Sequence, residues 1–404
     1  MGTDMNVAAS DRTERACLLV LALVTVTMLF LYGRIDYTNA AFKDWDSLIY
    51  LDMASASPRL DPDAPRPFAF RLLGPYLVGL IPGSTENAFL AVDLVLSFLL
   101  VYLMYRFLRY SGLRPPFACL ATTLYILNKH FFGFTSWNYF HVNDVIMIIL
   151  LIILFRSMME SRWLVFAAAL CLGVATRETA LIMIPVGLLN LAERRLLARE
   201  GGRFIAAIAP ALAVFAAIRL LVHPATGPTL MQAVSAHWTK ITSIERMYHI
   251  LVNPFVPLAL VPVVYFRRTF AFLKGRIHLA AFFVLIAGTT FFGHNNERLL
   301  NPASLAFYPL VGFILQDCVW PNRGMIALVV AGAFLSSLHW LVARYPLPSR
   351  GATAVLSGGS LVVITAALAV LQIVGKRRDA APPSGRAASR EGPDATACSR
   401  RGSS

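Results

Sequence analysis

The 404-residue chain is 57% apolar and only 14% charged, where soluble domains are roughly a quarter charged. That is more apolar material than one soluble core absorbs, because soluble chains split into domains beyond roughly 250–300 residues. The formal charge of +14 does not indicate nucleic acid, since the basic residues lie in short runs between apolar blocks, as in a positive-inside membrane topology.

In chain order, residues 1–15 form a polar leader to the first apolar block at 16–33. Blocks then recur to residue 375, so a single cleaved signal peptide does not explain them. Several approach the length of about 20 residues that crosses hydrocarbon. The hydropathy and breaker residues predict about twelve spans, near 16–33, 87–108, 116–132, 143–157, 162–176, 179–193, 204–222, 247–266, 277–293, 302–318, 325–342 and 352–375. The piece 72–82 stops at Pro82-Gly83 and is too short to cross, so it reads as interfacial or re-entrant. A cytoplasmic N-terminus leaves most of the 36 Lys and Arg on the inner side. The expected fold is therefore all-α, a polytopic transmembrane helical bundle with both termini cytoplasmic. Short interfacial helices would lie in its first outer loop, and a disordered tail over 376–404 would follow the last span. The five cysteines include no CxxC pair, which argues against a metal site or disulfide framework.

That topology gathers ionisable residues at the outer face. The loop over 34–71 carries Asp36, Asp44, Asp46, Asp52, Asp61 and Asp63. Charge at bilayer depth costs on the order of 2.5–3.5 kcal/mol, so groups from separate spans are expected to pair around one polar cavity. Asp46 and Tyr50 fall on one helical face. Asp46 could act as a general base on an acceptor hydroxyl, bind a divalent cation, or simply keep an interfacial helix wet. Arg71, among Phe68, Phe70 and Tyr76, suits a phosphate, or else an aromatic-belt anchor that snorkels to headgroups.

Thr176-Arg177-Glu178-Thr179 reads as a tight turn whose ion pair faces inward. Arg298 is a second phosphate candidate, and Glu297 could hold it or a sugar hydroxyl, unless the pair is a solvated turn. Asp144 follows Trp137, Asn138, Tyr139, His141 and Asn143, a mixture suited to sugar stacking, although an N-cap explains Asn143 or Asp144 equally well. Asp93 lies inside a span at uncertain depth. His223, His237 and His249 lack metal-ligand spacing and read as interfacial.

This order of features resembles the GT-C superfamily of membrane glycosyltransferases, in particular its bacterial polyprenyl-phosphate-sugar-dependent members. It runs from one span to an acidic loop with Asp44-Trp45-Asp46 and Tyr50, then Arg71, Asn143-Asp144, Arg177-Glu178 and Glu297-Arg298. The resemblance covers about residues 16–375. It implies a plasma (inner) membrane enzyme that moves a hexose or pentose, with inversion, from a polyprenyl phosphate to a glycan, lipid or protein acceptor on the extracytoplasmic face, as a mannosyltransferase-like enzyme would. Asp46, with Asp44 second, matches the family's catalytic base or metal contact, and a divalent cation (Mg or Mn) is compatible with it. Arg71, Arg177 and Arg298 match its phosphate-holding arginines, with Tyr50, Asp144, Glu178 and Glu297 beside them. Many members carry a sizeable soluble domain after the spans; here only a short tail is expected after the last span, which would leave acceptor recognition to the outer loops. The rival expectation is a transporter or lipid flippase, which would place its ionisable groups near the bilayer midplane between repeats; the sequence shows no repeat. A non-catalytic scaffold would leave the acids and arginines without a shared cavity.

Overall fold

The computed structural model describes residues 2–39, 42, 45–224, 232, 243–290, 296–320, 322–338 and 350–380. Among them there are helices and no strands. Leaving aside short 3-10 and π turns and the four-residue helix Val261–Val264, in order these are α1 (Gly2–Tyr32), α2 (Asp46–Ala56), α3 (Leu73–Gly79), α4 (Thr85–Tyr110), α5 (Pro115–Ile126) and α6 (Phe132–Trp137). There follow α7 (Val142–Met159), α8 (Trp163–Thr176), α9 (Met183–Glu193), α10 (Leu197–Leu221), α11 (Ile244–Leu251), α12 (Phe266–Lys274) and α13 (Ile277–Thr290). The last are α14 (Asn296–Leu299), α15 (Ser304–Ile314), α16 (Arg323–Ser337) and α17 (Arg350–Ala380).

Six segments are long and apolar enough to cross a membrane: Asp11–Tyr32, Thr85–Tyr110, Val142–Met159, Leu197–Leu221, Asn301–Val319 and Thr353–Val374. A seventh arises if α12 and α13, bent by 106°, act as one broken span. The expected figure of about twelve is not reached by this measure, for a physical reason. The helices α5, α8 and α16 have 12, 14 and 15 residues; at 1.5 Å per residue even the longest covers about 23 Å of the roughly 30 Å of hydrocarbon.

Local chemistry cuts the other blocks short. Asn128 Oδ1 accepts the backbone N–H groups of His130 and Phe131, and its amide donates to the Pro254 carbonyl. That turn separates α5 from α6 within the expected span 116–132. The block 179–193 opens as a 3-10 turn over Glu178–Ile182, leaving 11 residues of α-helix. Pro254, Pro257 and Pro262 break 247–266 into short pieces.

Helix α7 is the centre of the bundle. It packs on α4, α8, α9 and α3, and 78% of its span is buried, against 28% for α1, 22% for α10 and 17% for α17. Its core run, Val145 to Phe155, is apolar on every face, as a helix surrounded by others requires. The peripheral helices turn large apolar side chains outward, among them Leu19, Val95, Ile205, Val284 and Val362, each more than half exposed. An apolar exterior of that extent marks a surface meant for lipid or a partner.

A second, smaller core lies beneath the segment over 34–79. It joins Tyr50, Met53, Val78, Phe89, Trp137 and Phe140. Glu86, in the first turn of α4, accepts the hydroxyls of Tyr37 at 2.8 Å and Tyr139 at 2.9 Å, fastening two loops to the same helix end. The backbone N–H of Gly74 donates to Asn143 Oδ1 at 2.9 Å, and a Cβ at Gly74 would strike that amide. The close approach of α3 to the start of α7 therefore needs glycine at this position.

Candidate functional site

The starts of α2, α4 and α7, the end of α8 and the short helix α14 meet at one end of the bundle. Apart from α4, whose Glu86 is taken by Tyr37 and Tyr139, they bring Asp46, His141 with Asp144, Arg177 and Arg298 to the meeting point, because each is a helix terminus, where a polar group can sit next to a turn. Asp144, in the first turn of α7, is 5% exposed. Its Oδ1 accepts from Arg177 Nη1 at 2.5 Å, and Arg298 Nε lies 3.5 Å from its Oδ2. Arg177 reaches it because α8 stops at Thr176 and the backbone straightens at Arg177 (φ −168°, ψ 135°).

Arg298 links this pair to the first loop. Its Nη1 donates to Asp46 Oδ2 at 3.0 Å and lies 2.9 Å from His141 Nε2. The guanidinium also faces the Phe134 ring, 5.7 Å from its centroid. Asp46 and Arg298 are separated by 252 positions in the chain. Asp46 is the most open member of the group, its side chain 28% exposed against 11% for Arg298 and 6% for Asp144.

Arg71 forms the adjoining wall. It is 6% exposed, lies over Phe68 with 5.1 Å to the ring centroid, and donates through Nη1 to the Tyr50 hydroxyl at 3.0 Å. Its Nε has no hydrogen-bond partner among the described residues. Tyr50 in turn meets the His141 ring edge-on at 5.6 Å. Within this group three guanidiniums (Arg71, Arg177, Arg298) face the carboxylates of Asp46 and Asp144, and Glu178 adds a third negative charge that acts chiefly on Arg71.

The electrostatics follow from burial and neighbours. Burial alone would raise the Asp46 carboxyl, but Arg298, then His141 and Arg71, hold it below the usual carboxylate range. Burial, then the Arg298 charge, push His141 down to about 3, so its imidazole is neutral. Burial opposes the charge on Arg298, yet Asp144 and Asp46 outweigh it and raise its pKa. Asp46 thus stays an anion and His141 a neutral ring over the physiological range.

Several expectations are corrected. Arg177 and Glu178 do not pair with each other: Arg177 turns to Asp144, and Glu178 lies 4.0 Å from Arg219 at the rim. Successive residues point in different directions where the chain is extended, which separates them. Glu297 does not hold Arg298; its Oε1 instead meets His249 Nδ1 at 2.5 Å and accepts from the Asn253 amide at 2.9 Å. Trp137 and Tyr139 are 3% and 2% exposed and belong to the second core, so they offer no stacking rim. Neither Asn143 nor Asp144 is an N-cap; His141 holds that position without a side-chain cap bond, and Asn143 clamps α3.

Of the remaining loop acids, Asp36 caps a turn through Thr38 and Asp61 accepts the Asp63 N–H. Asp44 lies outside the described residues, as do His237 and His294. His141 is the contributor that sequence reasoning underweighted. The signal was its place three residues before Asp144, which sets both side chains on one face of the first helical turn.

A metal does not fit this constellation. Among the described residues no group of three His, Cys, Asp or Glu side chains is placed to hold one. The side chains of Asp46, His141 and Asp144 do converge, but on the guanidinium of Arg298.

No family model matches the chain, and neither the curated proteins nor the solved structures contain a match.

Two outcomes test the network. Arg177→Ala strands the buried Asp144 carboxylate and should cost about 3–5 kcal/mol; Asp144→Asn in the same chain should restore part of it, read by thermal unfolding in detergent. The second concerns acid. A free imidazole protonates near 6.5 and His141 in the folded chain only near 3, so below about pH 6.5 protons favour the unfolded state and stability falls. The wild type should lose about 3 kcal/mol more than His141→Gln between pH 7 and pH 4, measured as the difference in unfolding free energy.

Proposed function

We propose that the chain is a membrane glycosyltransferase of the GT-C type, moving a sugar from a polyprenyl-phosphate donor to an acceptor hydroxyl. On this reading the clustered end faces the extracytoplasmic side of the plasma membrane and both termini are cytoplasmic. The three shorter apolar helices count as partial membrane segments beside the six or seven long ones, and the expectation of about twelve spans stays part of this proposal. The observation that carries the proposal is the convergence of Asp46, His141, Asp144, Arg177 and Arg298 from four separate segments into one cluster, with Arg71 in the adjoining wall.

The chemistry assigns a role to each group. Asp46, ionised and the most open to solvent, accepts the proton of the acceptor hydroxyl. The acceptor oxygen then bonds to the anomeric carbon as the bond from that carbon to the phosphate oxygen breaks, and the electron pair leaves with the lipid phosphate. Because Arg298 lowers the basicity of Asp46, proton transfer falls late, when the new bond is well advanced. Arg71 is the natural phosphate ligand, because Arg177 and Arg298 are already held by carboxylates at salt-bridge distance, while Arg71 donates to a neutral hydroxyl, keeps an unused Nε donor and feels Glu178 only from farther off. Fixed guanidiniums in a partly dry site stabilise a leaving phosphate without reorganising.

A second reading, an ion-coupled transporter, is favoured by Asp93. It is 1% exposed inside α4, and its Oδ1 has no hydrogen-bond partner among the described residues. A lone acid eight residues into a 26-residue helix is costly unless it carries a proton.

Purified protein incubated with a panel of polyprenyl-phosphate sugars should release polyprenyl phosphate. Arg71→Ala should lower kcat by about 10²–10³-fold, and Asp46→Asn should abolish release with folding intact. Turnover retained in both Asp46→Asn and Asp44→Asn removes the acids from the mechanism. The transporter reading gives the opposite pattern: Asp93→Asn would abolish proton-coupled uptake in liposomes, and no donor would be cleaved.

A further inference from the structure

The opposite end of the bundle, where α4 and α7 finish and α8 begins, encloses a cavity of about 410 Å³. It is independent of the cluster at the other end. Its polar lining includes Arg106 and Arg109 from α4, Arg156 from α7, and Arg162 from the turn into α8. Two carboxylates accompany these four arginines. Glu160 takes both Arg156, at 2.8 Å, and Arg162, at 2.9 Å, while Glu14 of α1 takes Arg106 at 3.1 Å. Arg109 is left without a carboxylate: its Nη1 donates to the Leu113 carbonyl at 2.6 Å, and its buried Nε has no hydrogen-bond partner among the described residues. The cavity therefore carries surplus positive charge and an unused guanidinium donor.

Apart from Tyr110 and Ser157 the rest of the wall is apolar, including Leu103, Ile152 and Val165. It continues onto the outward face of α4 and α8, where Leu99, Val165 and Leu164 are 41%, 45% and 88% exposed. A soluble anion would gain nothing from such a wall. A phosphate ester carrying acyl chains would place its charge on the arginines and its chains along the exposed apolar strip. Basic pockets between membrane helices bind anionic headgroups by this division of labour.

We infer that the cavity between the ends of α1, α4, α7 and α8 binds one anionic phospholipid, its phosphate held by Arg109 and Arg106 and its acyl chains lying over Leu103 and Val165.

The test uses the full chain purified in a zwitterionic detergent. Phosphatidylglycerol, added at increasing mole fraction, should raise the melting temperature and survive as a one-to-one adduct in native mass spectrometry, whereas phosphatidylcholine at equal fraction should do neither. Arg106→Gln with Arg109→Gln should weaken the phosphatidylglycerol effect about 10–30-fold. Should loss of the Arg109 bond to Leu113 unfold that variant, Arg106→Gln with Arg156→Gln keeps the bond while removing two charges, and should weaken binding similarly. Undiminished adducts in the folded variants overturn the proposal. So does millimolar inorganic phosphate that stabilises the wild type as well as the lipid does, since the site would then take a soluble anion.

Discussion

The buried carboxylate of Asp144 is the constraint around which one end of this protein is organised. A carboxylate removed from water carries a desolvation cost of several kcal/mol, and Asp144 meets it with two guanidiniums from distant parts of the chain. Neither arginine could be buried without it, nor it without them. The pairing fixes where α8 must end, how α7 must begin, and where the short helix α14 must lie. Removing one partner leaves an uncompensated charge, which is why the network behaves as a unit.

Asp46 attaches to that unit through Arg298, and this changes what Asp46 can do. A loop aspartate in bulk water would be an ordinary solvated acid. Held by a guanidinium that is itself anchored on Asp144, it is kept ionised while its side chain stays partly open to solvent. His141 completes the surround as a neutral ring between Tyr50 and Arg298. In this arrangement the guanidinium occupies the point where Asp46, His141 and Asp144 converge, and positive charge is supplied by the chain itself.

The two ends of the bundle use the same residue types with different outcomes. At one end arginines and carboxylates are locked together, and all but Asp46 are nearly inaccessible. At the other the arginines are half-exposed, their acids are shared among them, and an apolar wall opens outward. Exposed ion pairs contribute little to stability, so the second group is free to exchange its partners for a ligand, whereas the first is bound into the fold.

Much of this was legible in the sequence. The apolar blocks and their lengths predicted an all-helical chain with spanning segments, and Asp46, Tyr50, Arg71, Asp144, Arg177 and Arg298 were identifiable as ionisable or polar groups stranded beside apolar runs. What the sequence could not convey was pairing. Arg177 beside Glu178, and Glu297 beside Arg298, look like ion pairs along the chain, yet both arginines reach past their neighbours to Asp144. Likewise Trp137 and Tyr139 look like a rim, and packing buries them. Composition and periodicity determined that these residues would lie beside apolar helices, because hydrocarbon length and the cost of buried charge act locally. Only the tertiary structure decided which charges meet, because contacts between residues as far apart as Asp46 and Arg298 depend on how whole helices stack, not on any pattern within them.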